Sequence, residues 1–174
     1  MSFKQQIANS IKWIDALDPK NGFKKTAGAL GHLDKEYPKD TWKTWFDVKD
    51  LKVEGKFCCL GVACVLNDIK TFVDPADVTE REYPVFMIGY DKRLGDILGL
   101  YNAGIFKSGD MLLEDRARGK DPRGYHSIME VNDLFYSDDK DFTNMHRFIL
   151  DNLEEIFHDQ VAKGLRKHYS RKGS

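Results

Sequence analysis

Apolar residues recur at steps of three and four in Phe3, Ile7, Ile11, Ile14 and Leu17, a period that predicts an amphipathic helix over residues 3 to 17. Pro19, Asn21 and Gly22 end it. Residues 23 to 33, rich in glycine and small side chains, predict a turn and a short strand. Trp42, Trp45 and Phe46 fall at helical spacing within residues 40 to 48, after Pro38 and with Asp40 or Thr41 as N-cap, and predict a short helix. In LKVEGKF, Leu51 and Val53 alternate with polar residues, as a strand or hairpin edge requires. The following LGVACVLNDI is apolar nearly all round and predicts a buried helix stopped by Asn67 and Asp68.

Beyond Pro84 the run VFMIGY predicts a strand, and residues 93 to 104 a short helix closed by Asn102 and Gly104. Residues 114 to 126 have no apolar period and many charges, so they predict a long loop, centred on 114 to 124. Phe142, Met145, Phe148, Ile149, Leu153, Ile156 and Leu165 then keep the 3.6-residue period over more than five turns, with Asp141 as N-cap and a basic tail over 166 to 174. Helix first, a small central β element, and a long helix last make a helix-rich α+β chain. At 174 residues it predicts one domain, 1 to 174, with no internal repeat.

Composition narrows the setting. Hydrophobic residues at 41% and charged residues at 32% fit a folded, water-facing chain, with no apolar run long enough for a membrane span and no secretory leader. Three cysteines, two of them adjacent, make a poor disulfide framework and point to a reducing, cytoplasmic location. A formal net charge of −1 excludes a protein that coats nucleic acid, because counterion release needs a Lys/Arg excess; any such contact has to be local.

Three sets of residues carry candidate chemistry. Cys58 or Cys59, at the start of the buried helix, would feel the positive end of the helix dipole, which favours thiolate. With His126 as base and Asn132 or Asp133 to orient it, either thiol would make a cysteine-dependent hydrolase or transferase. The competing and favoured reading makes Cys58, Cys59 and Cys64 small buried hydrophobes. Second, Arg116, Arg118, Lys120 and Arg123 lie among Gly119, Pro122 and Gly124, a set suited to gripping phosphate oxygens, with Trp42, Trp45 and Tyr125 available to stack a base and Asn132 to face a pocket. Against it, Glu114, Asp115 and Asp121 partly cancel the field of that loop, as in a solvated charged loop. Third, the acidic and aromatic surface over residues 34 to 50 is suited to holding a host protein in a stoichiometric inhibitor. No metal site is expected, since CxxC and HExxH are absent and His146 and His158 stand twelve residues apart, and no cofactor is called for.

FCCLGVACVLND at 57 to 68, LGDILGL at 94 to 100, and VND followed by DFTNMHRFILDNL within 131 to 153 together resemble an uncharacterised family of small tailed-phage proteins. In that family a Trp-containing N-terminal helix precedes a CCLGV segment, and an Asn-Asp pair precedes an amphipathic C-terminal helix; Trp13 fits the order. Two departures are Ala63, where a bulkier Leu is common, and the charged loop at 114 to 124. The resemblance implies a phage accessory protein in the host cytoplasm and supplies no activity. Joined to the basic loop, it leads to an expectation of a non-enzymatic, anti-defence binder of a small phosphate-bearing ligand such as a cyclic nucleotide signal, acting by sequestration.

Overall fold

Ser2 opens the first helix, α1 (Phe3–Ala16), by accepting a hydrogen bond from Gln5 N–H on its hydroxyl. This computed structural model describes residues 1–25, 31–33, 45–46, 55–67, 69, 71–73, 85–87, 92–109, 125–135 and 141–172. Asp18 and Pro19 close α1 into a 3-10 turn over Pro19–Asn21, left by Gly22 at φ 77°. The buried face of α1 is rotated from the expected stripe: Gln6, Ser10, Trp13, Ile14 and Leu17 are buried, Ile7 and Ile11 are half-buried, and Phe3 stays 55% exposed.

The reason for this rotation lies in α3 (Lys92–Leu98). Gln6 Nε2, Asn9 Nδ2 and Ser10 Oγ donate to the carbonyls of Asp96, Ile97 and Leu98 at 2.9, 3.1 and 2.6 Å. These are the last carbonyls of α3, which have no partner inside their own helix. Polar residues of α1 therefore face inward as a cap. The helix expected to reach residue 104 stops at Leu98 instead, where Gly99 turns at φ 66°. A Cβ on Gly99 would sit 2.7 Å from Val161 Cγ2, so the turn and the close approach both demand glycine. A second 3-10 turn follows at Tyr101–Gly104, with Asn102 and Ala103 left-handed.

Among the described residues, six short strands form one mixed sheet: β1 (Lys24–Lys25), β2 (Gly31–Leu33), β3 (Trp45–Phe46), β4 (Gly55–Phe57), β5 (Thr71–Val73) and β6 (Val85–Met87), in the order β1-β4-β2-β6-β5-β3. Only β1 with β4 is parallel; the other pairs are antiparallel. The strands at 55–57 and 85–87 lie in the segments where alternation and the apolar run placed them, while residues 23 to 33, read as a turn and one short strand, hold two, at 24–25 and 31–33. Trp45 and Phe46 do not continue a helix; they pair with Phe72 and Thr71, consistent with the strand preference of aromatic residues. The rest of that expected helix lies outside the described residues.

From β4 the chain enters α2 (Cys59–Leu66), buried at every position but Leu66. Asn67 ends it, its Nδ2 donating to Ala63 carbonyl at 2.8 Å. Asn132 and Asp133 lie within α4 (Ile128–Leu134), because Ser127 and Glu130 form a capping box that starts the helix before them.

The expected long last helix is broken into α5 (Thr143–Asp151), α6 (Leu153–Ile156) and α7 (Asp159–Lys172). The N-cap of the first is Phe142 and not the expected Asp141, which stands one residue earlier and accepts from Thr143 N–H at 2.8 Å; the Thr143 side chain, and then its N–H, hold the Asp141 carboxyl below the usual range. The second break has a tertiary cause: Phe157 pairs with Leu100 in an antiparallel bridge, and His158 N–H donates to Gly99 carbonyl at 3.0 Å. Even so, all seven apolar residues of the sequence period, Phe142 through Leu165, are buried. The chain is thus helix-rich α+β, its buried side chains form one cluster, and no described helix is long and apolar enough to cross a membrane.

Candidate functional site

Cys58 occupies the N-cap of α2, and its Sγ accepts from Gly61 N–H at 3.3 Å. Both groups of Cys59 are also engaged: its N–H donates to Asn132 Oδ1 at 3.0 Å, and its carbonyl accepts from Trp13 Nε1 at 2.7 Å. Asn132 is fully buried, and its Nδ2 donates to Asp133 Oδ1 at 3.2 Å. One dipeptide therefore joins α1, α2 and α4. The thiols of Cys58, Cys59 and Cys64 are buried and form no disulfide. Burial pushes the Cys58 thiol up to about 11, outweighing the backbone N–H groups of Gly61 and Leu60 that favour its anion. Burial, and then the neighbouring Cys58, push Cys59 up further. Both thiols are therefore held in the protonated form at neutral pH.

His126 stands elsewhere, exposed and at the root of the charged loop. Its Nδ1 lies 2.6 Å from Gly109 carbonyl, and since a carbonyl only accepts, that nitrogen carries the hydrogen. Its backbone N–H donates to Glu130 Oε2 at 2.6 Å, and Phe106 N–H donates to its carbonyl at 2.9 Å. Ile105 and Ser127 complete the junction as an antiparallel bridge. Gly109 and Tyr125, which flank residues 110 to 124, are thereby held on a closed stem. Phe106 roots the stem in the core, fully buried against Phe148 at 6.0 Å between ring centroids.

The chain matches no protein-family model, no curated protein and no solved structure.

The residues singled out in the sequence thus separate into three groups. Cys58, Cys59, Asn132 and Asp133 come together, with Lys25 of β1 close enough to act electrostatically on Cys59. His126 and Tyr125 belong to the stem, with Tyr125 half-buried. Arg116, Arg118, Lys120, Arg123 and Trp42 lie outside the described residues, as does the side chain of Trp45 and nearly all of 34 to 50.

Two features had no separate signal in the sequence. Lys25 is 5% exposed, with its Nζ 5.8 Å from the centre of the Phe135 ring, a burial that the paired lysines of FKK do not announce. Beside the stem, Lys107 Nζ lies 5.9 Å over Tyr101 and 2.6 Å from Asp159 Oδ1, while His158 packs edge-on against Tyr101. Their sequence separation, 52 residues for Lys107 and Asp159, hides the pairing until the turn at Gly99 and the break at His158 bring them together.

Proposed function

We propose that this chain is a non-enzymatic binder of a small phosphate-bearing ligand, a nucleotide or cyclic nucleotide signal, gripped by the segment that carries Arg116, Arg118, Lys120 and Arg123. The observation that carries the reading is the closed stem: Ile105–Ser127, Phe106–His126 and His126–Gly109 fix both ends of that segment against a buried core. Surface loops with tied ends commonly hold binding functions, and a fixed root lowers the ordering cost of engaging a ligand. Four guanidinium or ammonium groups within eight residues supply the donors that phosphate oxygens need. The resemblance of the CCLGV segment to tailed-phage proteins sets such a binder in the host cytoplasm, acting against a defence signal. A cysteine-dependent enzyme has less support, because both thiols are buried and held protonated.

Thermal unfolding with nucleotides and cyclic dinucleotides tests the reading. A ligand at one hundred times its Kd stabilises the folded chain by about 2.7 kcal/mol, roughly 5–10 °C for a chain of this size. The shift should vanish in Arg116→Ala/Arg118→Ala/Arg123→Ala. No shift with any nucleotide refutes the proposal.

A further inference from the structure

The net charge of −1 conceals a strong separation of charge along the chain. Residues 160 to 174 contain five Lys/Arg and no Asp/Glu; the other 22 basic and 28 acidic residues leave −6 on residues 1 to 159. Structure turns the basic run into a face. In α7, Val161, Ala162 and Leu165 are buried, and Gly164 lies so close to α1 that an added Cβ would meet Ile7 Cδ1 at 2.4 Å. Tyr169 anchors the far end, its hydroxyl donating to Asp15 Oδ1 at 3.0 Å. With the apolar side fixed, Lys163, Arg166, Lys167, Ser170 and Arg171 are turned to solvent. Arg166 is paired with Glu154. Lys163, Lys167 and Arg171 have no ionic partner among the described residues and, at i, i+4 and i+8, form a straight row about 12 Å long.

We infer that the outer face of α7 is a docking surface for the phosphodiester backbone of a nucleic-acid duplex, bound without sequence preference. A row of unpaired cations on a rigid helix complements a regular line of phosphates, and it shares no residue with the small-ligand segment. No exposed aromatic stands on this face to stack an unpaired base, which favours a duplex over a single strand. Nor is there an exposed Trp, Phe or Leu to enter a lipid interface, which favours nucleic acid over a membrane surface. The acidic remainder of the chain repels the same polyanion, so approach is oriented with α7 leading.

Fluorescence anisotropy with a labelled mixed-sequence duplex of about twenty base pairs, over about 20–200 mM salt, provides the test. Each neutralised phosphate contributes about −0.9 to the slope of log K against log salt, so three free cations predict a slope near −2.7, and close to −3.6 if Arg166 leaves Glu154. Lys163→Gln/Lys167→Gln/Arg171→Gln should abolish binding or flatten the slope to about −1, while Lys163→Arg/Lys167→Arg should keep it. Absence of binding at the lowest salt, a slope near zero, or full binding by the triple glutamine variant overturns the inference. So does retention on anionic phospholipid vesicles without binding to the duplex. The arginine-to-alanine variant of the 116–123 segment should bind the duplex normally, and the triple glutamine variant should keep any nucleotide shift, which separates this inference from the small-ligand reading.

Discussion

Two helices of similar regularity, α2 and α7, use their polar groups in opposite ways. Around α2, the Cys58 thiol accepts from Gly61 N–H, and the peptide groups of Cys59 are taken by Asn132 and Trp13. Its hydrogen-bonding capacity is consumed inside the protein. On α7 the fully buried side chains, Val161, Ala162 and Leu165, are apolar, and Lys163, Lys167 and Arg171 meet no charge of the described chain. A polar group already satisfied internally specifies architecture, since removing its partner leaves a buried donor or acceptor exposed to nothing. A charged group left in water is available for recognition at little cost to folding. Residue type alone does not draw this distinction: the cysteines are the more reactive chemistry, yet the lysines are the more available.

The comparison is broken most directly at Trp13. Trp13→Ala removes a fully buried ring, its edge contact with Phe157 and its bond to Cys59, and should cost about 3–5 kcal/mol in urea unfolding. A cost below about 1 kcal/mol would show that the three-helix junction is not structural. Next is the alkaline limb of stability. The Cys58 thiol has its folded value raised from 9.0 to about 11, so the unfolded chain gives up the proton first. Its contribution, on the order of 2–3 kcal/mol, is fully present below pH 9 and is lost as pH rises through 11. The difference between parent and Cys58→Ala unfolding free energies should shrink over that window; a constant difference contradicts the burial of the thiol.

Asn132→Ala should cost about 1–3 kcal/mol by orphaning the Cys59 N–H, with no change in duplex binding. Native-state iodoacetamide sharpens the same point, since all three cysteines should resist labelling until denaturant is added. Rapid labelling of Cys58 or Cys59 would restore the enzymatic alternative. The smallest effect belongs to α7: Lys163→Gln/Lys167→Gln/Arg171→Gln should leave the unfolding midpoint in place while duplex binding is lost.

The apolar pattern carried most of this fold because periodicity reports which side chains are buried. It placed α2, the start of α3 and three strand regions, and the seven residues it named in the last third are all buried, though it missed Phe157, Val161 and Ala162 beside them. It failed where a tertiary contact decided the backbone. Nothing local in Phe157-His158 signals that their peptide groups pair with Gly99 and Leu100, so one helix was read where there are three. Gln6, Asn9 and Ser10 look like a solvent face until α3 presents its last carbonyls to them. For the same reason Asn132 was legible as a polar residue near the last helices but not as the partner of Cys59, 73 positions earlier. For the thiols, the favoured reading as small buried hydrophobes agrees with their burial: the helix dipole favours thiolate, but desolvation at full burial is the larger effect.

The stem at Ile105–Ser127 also bears on how such a chain diversifies. Because its two sides are joined by their own backbone bonds, the span between Gly109 and Tyr125 can lengthen or change composition while the core below keeps its contacts. Doubling a closed span costs only about 0.6 kcal/mol in chain entropy. Variation in this lineage should therefore accumulate at 110 to 124 rather than in the core below the stem.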